Sequence, residues 1–556
     1  MSGIAGWAVP TKGALDEAGV VAMLEPLGPR QRAGETLLGY SDRRGHQQVV
    51  LGATLCDNVS GIALVLDGAL SNAAELRAQL AKKGFRFSRN DSPEVLLHAY
   101  QYWDKDVVRH LRGAFAFAIW DPRKDRLMLG RDRFGEKPLL LEERGEGLFF
   151  ASEAKALLAG PGARATLDRA ALKRCIAHGF LSGGATLFRG VRKLSPGTYA
   201  MWQFGRLQET RYWIAPDRNA YVRRGAADPV EGFTSALKEA ATERAGDAVL
   251  LSGGIDSAVL VAVLGGKGLR TYSLGFEGDR KSELAAAAAV AKHFGTTHHE
   301  IVVKPADLVT SLGALVARRD GPVAPSELAV HRLAAEAARG TASVLSGDGC
   351  DEVVGGYRRL IAERFHPGFS ESMFDKQARD AQRLLPGEAP KDEDPRQPPH
   401  DFDPAASPLR RALYVEQTTR LPERLLERND RCGTEVRMPF LDHRLAEYVS
   451  SLPDELRVRG LATKWILRES ARRLVPAGLA CRKAGFRMPV RDWLRNELRD
   501  TLAEHLQSGA SQTRRYYDAD ELDRLVNEHV AGKKNHDASL WTLLNLEIWH
   551  RRYRPA

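Results

Sequence analysis

Residues 248 to 258, AVLLSGGIDSA, constrain this chain more than any other stretch. Val249, Leu250 and Leu251 read as the end of a buried strand. Ser252, Gly253 and Gly254 read as a tight turn, and Asp256 and Ser257 as the opening of an apolar helix that stops at Gly265-Gly266. Together these make an anion cradle, because the glycines let backbone N–H groups face the loop and the helix N-terminus adds positive potential. Asp256 sharpens the reading. A carboxylate beside a phosphate repels it unless a divalent cation lies between them, which points to Mg2+. A plain strand–turn–helix with a capping aspartate is the simpler alternative; the dense Ser-Gly-Gly-x-Asp-Ser run in its required context weighs against it. No Gly-Lys-Ser/Thr follows the glycines, so this is not a Walker A loop.

From about residue 229 strands and helices alternate. The pattern predicts helix 229–244, strand 247–251, helix 257–264, strand 270–276, helix 282–295, strand 298–303, helix 305–317, helix 326–340 and strand 341–346. Such alternation predicts an α/β doubly wound parallel sheet with right-handed crossovers, binding ligands at the carboxyl ends of its strands. The loop 345–357, LSGDGCDEVVGGY, lies at such an end. There Asp348, Asp351 and Glu352 crowd together, which is costly without a metal, a basic partner or a proton. A solvated acidic loop is the alternative, and the apolar strand before it argues otherwise.

Residues 1–205 have another texture. Short strand-like runs such as GIALVLDG, AFAFAIWD and RLMLGRD are interleaved with the helical AAELRAQLAKKG and SPEVLLHAYQYW, an α+β pattern. Residues 206–228 read as a polar linker without pattern, 229–556 as the second domain, and 364–408 as a Pro- and charge-rich break within it. Neither a signal peptide nor an 18-residue apolar run is visible, and the five cysteines are scattered, so a cytoplasmic protein with no membrane partner is expected. The formal charge of +10 is spread along the chain, and no nucleic-acid motif accompanies it.

The first loop resembles the pyrophosphate loop of the N-type ATP pyrophosphatases. With Gly3-Ile4-Ala5-Gly6, RDRFGEKPLL (131–140), FFASEAKALL (149–158) and KLSPGTY (193–199), the chain resembles the asparagine synthetases. In that family a class II glutaminase domain of the Ntn-type α+β sandwich precedes an ATP-pyrophosphatase domain. The resemblance implies ATP and Mg2+ as cofactors, with Asp256 and Asp351 sharing the metal. It implies that Ser252, Gly253, Gly254, Ser257, Ser346 and Gly347 contact the nucleotide, with Leu250 and Leu274 near the base. Asp348 sits at an acidic position tied to forming or aminating the acyl-adenylate, with Glu352 a second candidate base. Lys464 matches a lysine facing the adenylate phosphate, and Arg468, four residues on, would share its helix face. Arg482 and Lys483 are placed in a closing loop near pyrophosphate.

Most departures from the family pattern are in the first domain. Ser2 stands where the family has a nucleophilic cysteine. The Arg-Gly-Pro-Asp run is replaced by PRQRAGETL, and the carboxylate-gripping arginine is missing near Leu55. The oxyanion-hole Asn-Gly reads Asp67-Gly68, placing a carboxylate where negative charge would develop, and Ser92 replaces an acidic residue. The domain is therefore expected to be an inactive glutaminase. In the second domain only Cys432-Gly433-Thr434 remains of a longer segment beneath the aspartate pocket, so aspartate is not the expected substrate. The expected function is an ATP- and Mg2+-dependent ligase that adenylates a small-molecule or peptide carboxylate and passes it to an amine without glutamine. β-Lactam synthetase-like relatives that have lost their glutaminase share this pattern. The alternatives are an asparagine synthetase using ammonia, or glutamine through Ser2; a tRNA-modifying pyrophosphatase; and a non-catalytic partner protein. A homodimer is open.

Overall fold

The computed structural model describes the chain except residues 1–2, 10–16, 28–35, 42–47, 54, 58, 217–227, 279–282, 366–374, 387–401, 404–405, 430–431 and 480–487. It divides into two compact units. The first is Met1–Asp168 with Gly184–Ile214 and Pro555–Ala556, and the second is Arg169–Gly183 with Ala215–Arg554.

The first unit holds two six-stranded sheets in which every pairing is antiparallel. In chain order the strands are β1 (Ala5–Val9), β2 (Thr36–Ser41), β3 (Gln48–Ala53), β4 (Leu55–Cys56), β5 (Ala63–Leu70) and β6 (Gly113–Asp121). Then follow β7 (Arg126–Arg131), β8 (Leu140–Arg144), β9 (Gly147–Ala151), β10 (Val191–Lys193), β11 (Thr198–Gln203) and β12 (Arg206–Arg211). One sheet runs β10-β8-β9-β1-β3-β2 and the other β12-β11-β7-β6-β5-β4. The two-residue period of β6 shows how they stack. Ala116, Ala118 and Trp120 pack with Ile4, Leu141 and Phe150 of the facing sheet. Phe115, Phe117 and Ile119 point the other way, onto Leu96 and Tyr100 of the helix Ser92–Trp103. This is the α+β sandwich expected from sequence.

The reading of 206–228 as a patternless linker is corrected at its start. Arg206–Arg211 is an edge strand, paired with β11 from Gln203↔Arg206 to Thr198↔Arg211 through a turn at Phe204-Gly205, where both φ are positive. It is exposed or half-exposed along its whole length, so no apolar alternation marked it as a strand.

The second unit is built on a wholly parallel sheet of order β15-β14-β13-β16-β17. Its strands are β13 (Ala248–Leu250), β14 (Arg270–Phe276), β15 (Thr297–Val303), β16 (Ser343–Leu345) and β17 (Glu435–Arg437). The chain first winds outward from β13 through β14 to β15, then returns to the other side of β13 as β16. The strand order therefore reverses between β13 and β16, and ligands of open parallel sheets bind at such a reversal. The predicted helix 305–317 is two helices, Pro305–Val309 and Leu312–Arg319. The three-residue β17 carried no strand signal of its own. Among the described residues no helix is long and apolar enough to cross a membrane.

Candidate active site

The loop after β13 is shaped before any ligand arrives. Gly253 has φ +73°, and a Cβ there would lie 2.8 Å from the Glu283 carbonyl oxygen and 2.9 Å from the Ala287 nitrogen, so glycine alone fits. Gly254 caps the helix Ile255–Leu264 in extended conformation. The Ser252 N–H donates to Ser257 Oγ at 3.1 Å, and the Gly254 N–H donates to Ser252 Oγ at 3.3 Å. Two of the predicted cradle serines thus brace the loop. Leu250 ends β13 nearly buried, and Leu274 is half-buried toward the end of the neighbouring β14.

The loop after β16 meets it. Ser346 is buried, and its N–H donates to the Arg437 carbonyl at 2.9 Å. A Cβ on Gly347 would lie 3.2 Å from that of Asp256, so a larger residue would press the two loops apart. Asp256 and Asp351 then converge on one cation, the ammonium of Lys464. Its Nζ lies 2.7 and 2.6 Å from the two Asp256 oxygens and 2.5 Å from Asp351 Oδ1. Lys464 is buried at the N-cap of the helix Trp465–Leu474 with φ +52°, and its N–H donates to the Gly355 carbonyl at 3.2 Å. Burial opposes its charge, but Asp256, Cys350 and Asp351 outweigh burial and raise its pKa above the ordinary lysine value. The expectation that Lys464 and Arg468 share a helix face and one anion is corrected. Lys464 stands before the helix, and Arg468 Nε donates to the Thr463 carbonyl at 2.7 Å.

The other two acidic residues have separate environments. Asp348 accepts from Arg428 Nη2 at 2.5 Å and Asn429 Nδ2 at 2.8 Å. Burial alone would raise its pKa; Arg428, Asn429 and Ser346 reverse that and hold the carboxyl below its usual range. Glu352 is buried and accepts from the Tyr357 hydroxyl. Burial, then the charge of Asp351, push it well above the usual carboxylate range. Arg428, Asn429 and Tyr357 were not singled out from sequence. A carboxylate within an apolar-flanked loop signals that a basic partner exists, but nothing local says that it comes from 80 residues away. Arg482 and Lys483 lie outside the described residues.

In the first unit Asp67 is fully buried. Its Oδ2 accepts from Ser152 Oγ at 3.0 Å, and Ser152 Oγ accepts the Ile4 N–H at 2.9 Å. Lys137 Nζ lies 3.8 Å from Asp67 Oδ1. Gly68 has φ +96°, and a Cβ there would lie 2.2 Å from the Ala114 carbonyl oxygen. Leu55 packs against the apolar cluster of β5 and β6, and Ser92 Oγ accepts the Leu70 N–H at 3.1 Å. Ser2 and residues 29–35 lie outside the described residues.

A parallel sheet with an acidic pair and a small-residue loop at its strand reversal defines an ATP-pyrophosphatase unit, and the antiparallel sandwich defines a glutamine amidotransferase-type unit. Residues 231–551 match the asparagine synthase family and residues 43–213 the glutamine amidotransferase domain. The chain belongs to the asparagine synthase family, whose members are ATP-dependent amide ligases. It is 28% identical over 561 residues to asparagine synthetase [glutamine-hydrolyzing] 1 of Bacillus subtilis (strain 168), covering 88% of this chain and 86% of the relative. It is 30% identical over 463 residues to asparagine synthetase [glutamine-hydrolyzing] 3 of the same organism, covering 76% and 74%.

Proposed function

We propose that this protein is an AMP-forming, Mg2+-dependent amide ligase of specialised metabolism that takes its nitrogen from an amine and not from glutamine. The observation that carries the synthetic half is the convergence of Asp256 and Asp351, from two adjacent strand ends, on the single cation of Lys464. Two hard carboxylate donors facing one cation position suit Mg2+, which is commonly held by one or two carboxylates and completed by substrate phosphates. Asp256 and Asp351 would hold the ion, and it would supply charge neutralisation at the phosphates.

The chain's own groups supply the rest. The N-terminal turn of the helix Ile255–Leu264, held in place by the braced Ser252–Gly254 loop, would cradle the phosphates. Lys464, held charged by its two carboxylates, lies where charge develops as the substrate carboxylate attacks the α-phosphorus and pyrophosphate leaves. Asp348, clamped ionised by Arg428 and Asn429, is suited to orienting the incoming amine. Glu352, buried and held by the Tyr357 hydroxyl, is the second candidate general base.

Glutamine independence is supported by Asp67. Its buried carboxylate occupies the position where an amide would donate to an oxyanion, and Ser152 and Lys137 hold it there. A second reading, aspartate amidation, follows from the names of the two Bacillus relatives; the shortened Cys432–Thr434 segment speaks against it. The test is a pyrophosphate- and AMP-release screen over carboxylic acids, with and without amines. Release with a non-aspartate acid is expected, and aspartate turnover above roughly one per second would overturn the substrate assignment.

A further inference from the structure

The second unit contains a cavity of about 190 Å3 between the start of the helix Pro325–Ala337, the π-helical stretch Glu416–Leu426 and the helix Asp537–Tyr553. Its walls are largely apolar, formed by Pro322, Val323, Ala324, Val490 and Trp541. The volume exceeds that of engineered cavities which take up benzene, so it holds roughly six to ten heavy atoms. Most of its polar groups are already engaged. Trp541 Nε1 donates to the Val323 carbonyl at 2.8 Å, and Gln377 Nε2 donates to Thr542 Oγ1 at 3.2 Å. The Asp537 carboxylate accepts the Ala538 N–H at 2.8 Å.

Arg424 differs from them. It lines the cavity, and among the described residues it makes no hydrogen bond or ion pair. Burial, then the nearby charge of Arg420, lower its pKa to about 10, so it is charged at neutral pH. Arg424 brings five donors to a cavity with largely apolar walls, a combination that matches a carboxylate or a similar anion. The cavity also adjoins the chemistry, because Arg428, four residues further along the same segment, clamps Asp348 of the nucleotide loop.

We propose that this cavity seats the unreacted end of the substrate. Arg424 grips a second acidic group while the other end presents the carboxylate to be activated. The substrate class is then a diacid, or an acid bearing a second anion, with an apolar body longer than that of aspartate. This deepens the reading of the chain as a carboxylate-activating ligase and rests on it.

The test separates the two. Binding of hexanoate and of its neutral isostere hexanamide to the full chain is measured by calorimetry, without nucleotide. The expected result is that hexanoate binds at least about tenfold tighter, as a charge-assisted pair implies. Arg424→Met should erase that preference, and Ala538→Trp, at the exposed rim, should weaken both probes by filling the mouth. In the pyrophosphate assay Arg424→Met should raise KM for the acid without changing KM for ATP. Equal affinity for the two probes, unchanged hexanoate binding in Arg424→Met, or no saturable binding up to about 10 mM overturns the proposal. If no acid supports pyrophosphate release, the ligase reading fails, whatever hexanoate does.

Discussion

Gly356 and Lys464 are packed so closely that a Cβ on the glycine would lie 2.1 Å from the lysine Cε, and 1.8 Å from Asp351 Oδ1. The lysine reaches the acidic pair only because position 356 has no side chain. Gly356→Ala should therefore displace Lys464. Pyrophosphate release should fall by about 10²-fold or more, as when a charge-stabilising donor is lost, with about 1–3 kcal/mol of overpacking in the unfolding free energy. Wild-type turnover in Gly356→Ala would show that the ammonium is not needed where it stands.

The acidic pair makes a separate prediction. Asp256→Asn or Asp351→Asn leaves Lys464 one carboxylate partner, so each variant should fold. Each should lose pyrophosphate release while near-ultraviolet circular dichroism stays native. Full activity in both variants would remove the metal assignment.

Asp348 and Arg428 form a pair mostly shielded from water, their side chains 21% and 14% exposed, so losing one partner should cost more than losing both. Arg428→Met should lower the unfolding free energy by about 3–5 kcal/mol, read from urea midpoints. Arg428→Met with Asp348→Asn should recover a substantial part. Additive losses would mean that the two side chains are not coupled.

Glutamine should yield no glutamate in wild type, in Ser2→Cys, or in Ser2→Cys with Asp67→Asn. One missing oxyanion donor costs about 10²–10³ in rate, and this chain also lacks the thiol and the arginine near Leu55. Glutamate from wild type would make Ser2 a live nucleophile. Glutamate from Ser2→Cys alone would mean an intact pocket.

His331 sets an acid-side limit on stability. Burial, then Arg318, whose Nη1 is 2.8 Å from the imidazole Nε2, depress its pKa from 6.5 to about 4. The folded protein thus binds fewer protons than the unfolded chain between those values. The contribution is present above pH 6.5 and is lost as pH falls toward 4. After allowance for solvent screening it is about 1 kcal/mol. His331→Gln should flatten the dependence of the urea midpoint on pH across that window; an unchanged slope would mean that the imidazole titrates normally.

The elements legible in sequence were those whose signal is local. Strand 270–276 was read to the residue, and the Ser252–Ser257 loop announced its turn and its carboxylate within six residues, though Gly254 and not Asp256 caps the helix. Long-range partners were not legible: Arg428 reaches Asp348 across 80 residues. The role of Lys464 was misread in its geometry because a lysine in the left-handed region carries no sequence mark, unlike glycine or asparagine. Nothing local marks Gly356, because its constraint comes in part from Lys464, far along the chain. Strands β12 and β17 were missed because one is polar on both faces and the other has only three residues.

The tether from Asp67 through Ser152 to the backbone of Ile4 links the two sheets of the first unit. The Asp67 carboxylate acts as a rivet beside the start of the first strand. Asparagine at this position would keep an oxygen able to accept from Ser152 Oγ but would lose the charge that faces the Lys137 ammonium. The residue on which glutamine independence is argued thus also fastens the core of the first unit.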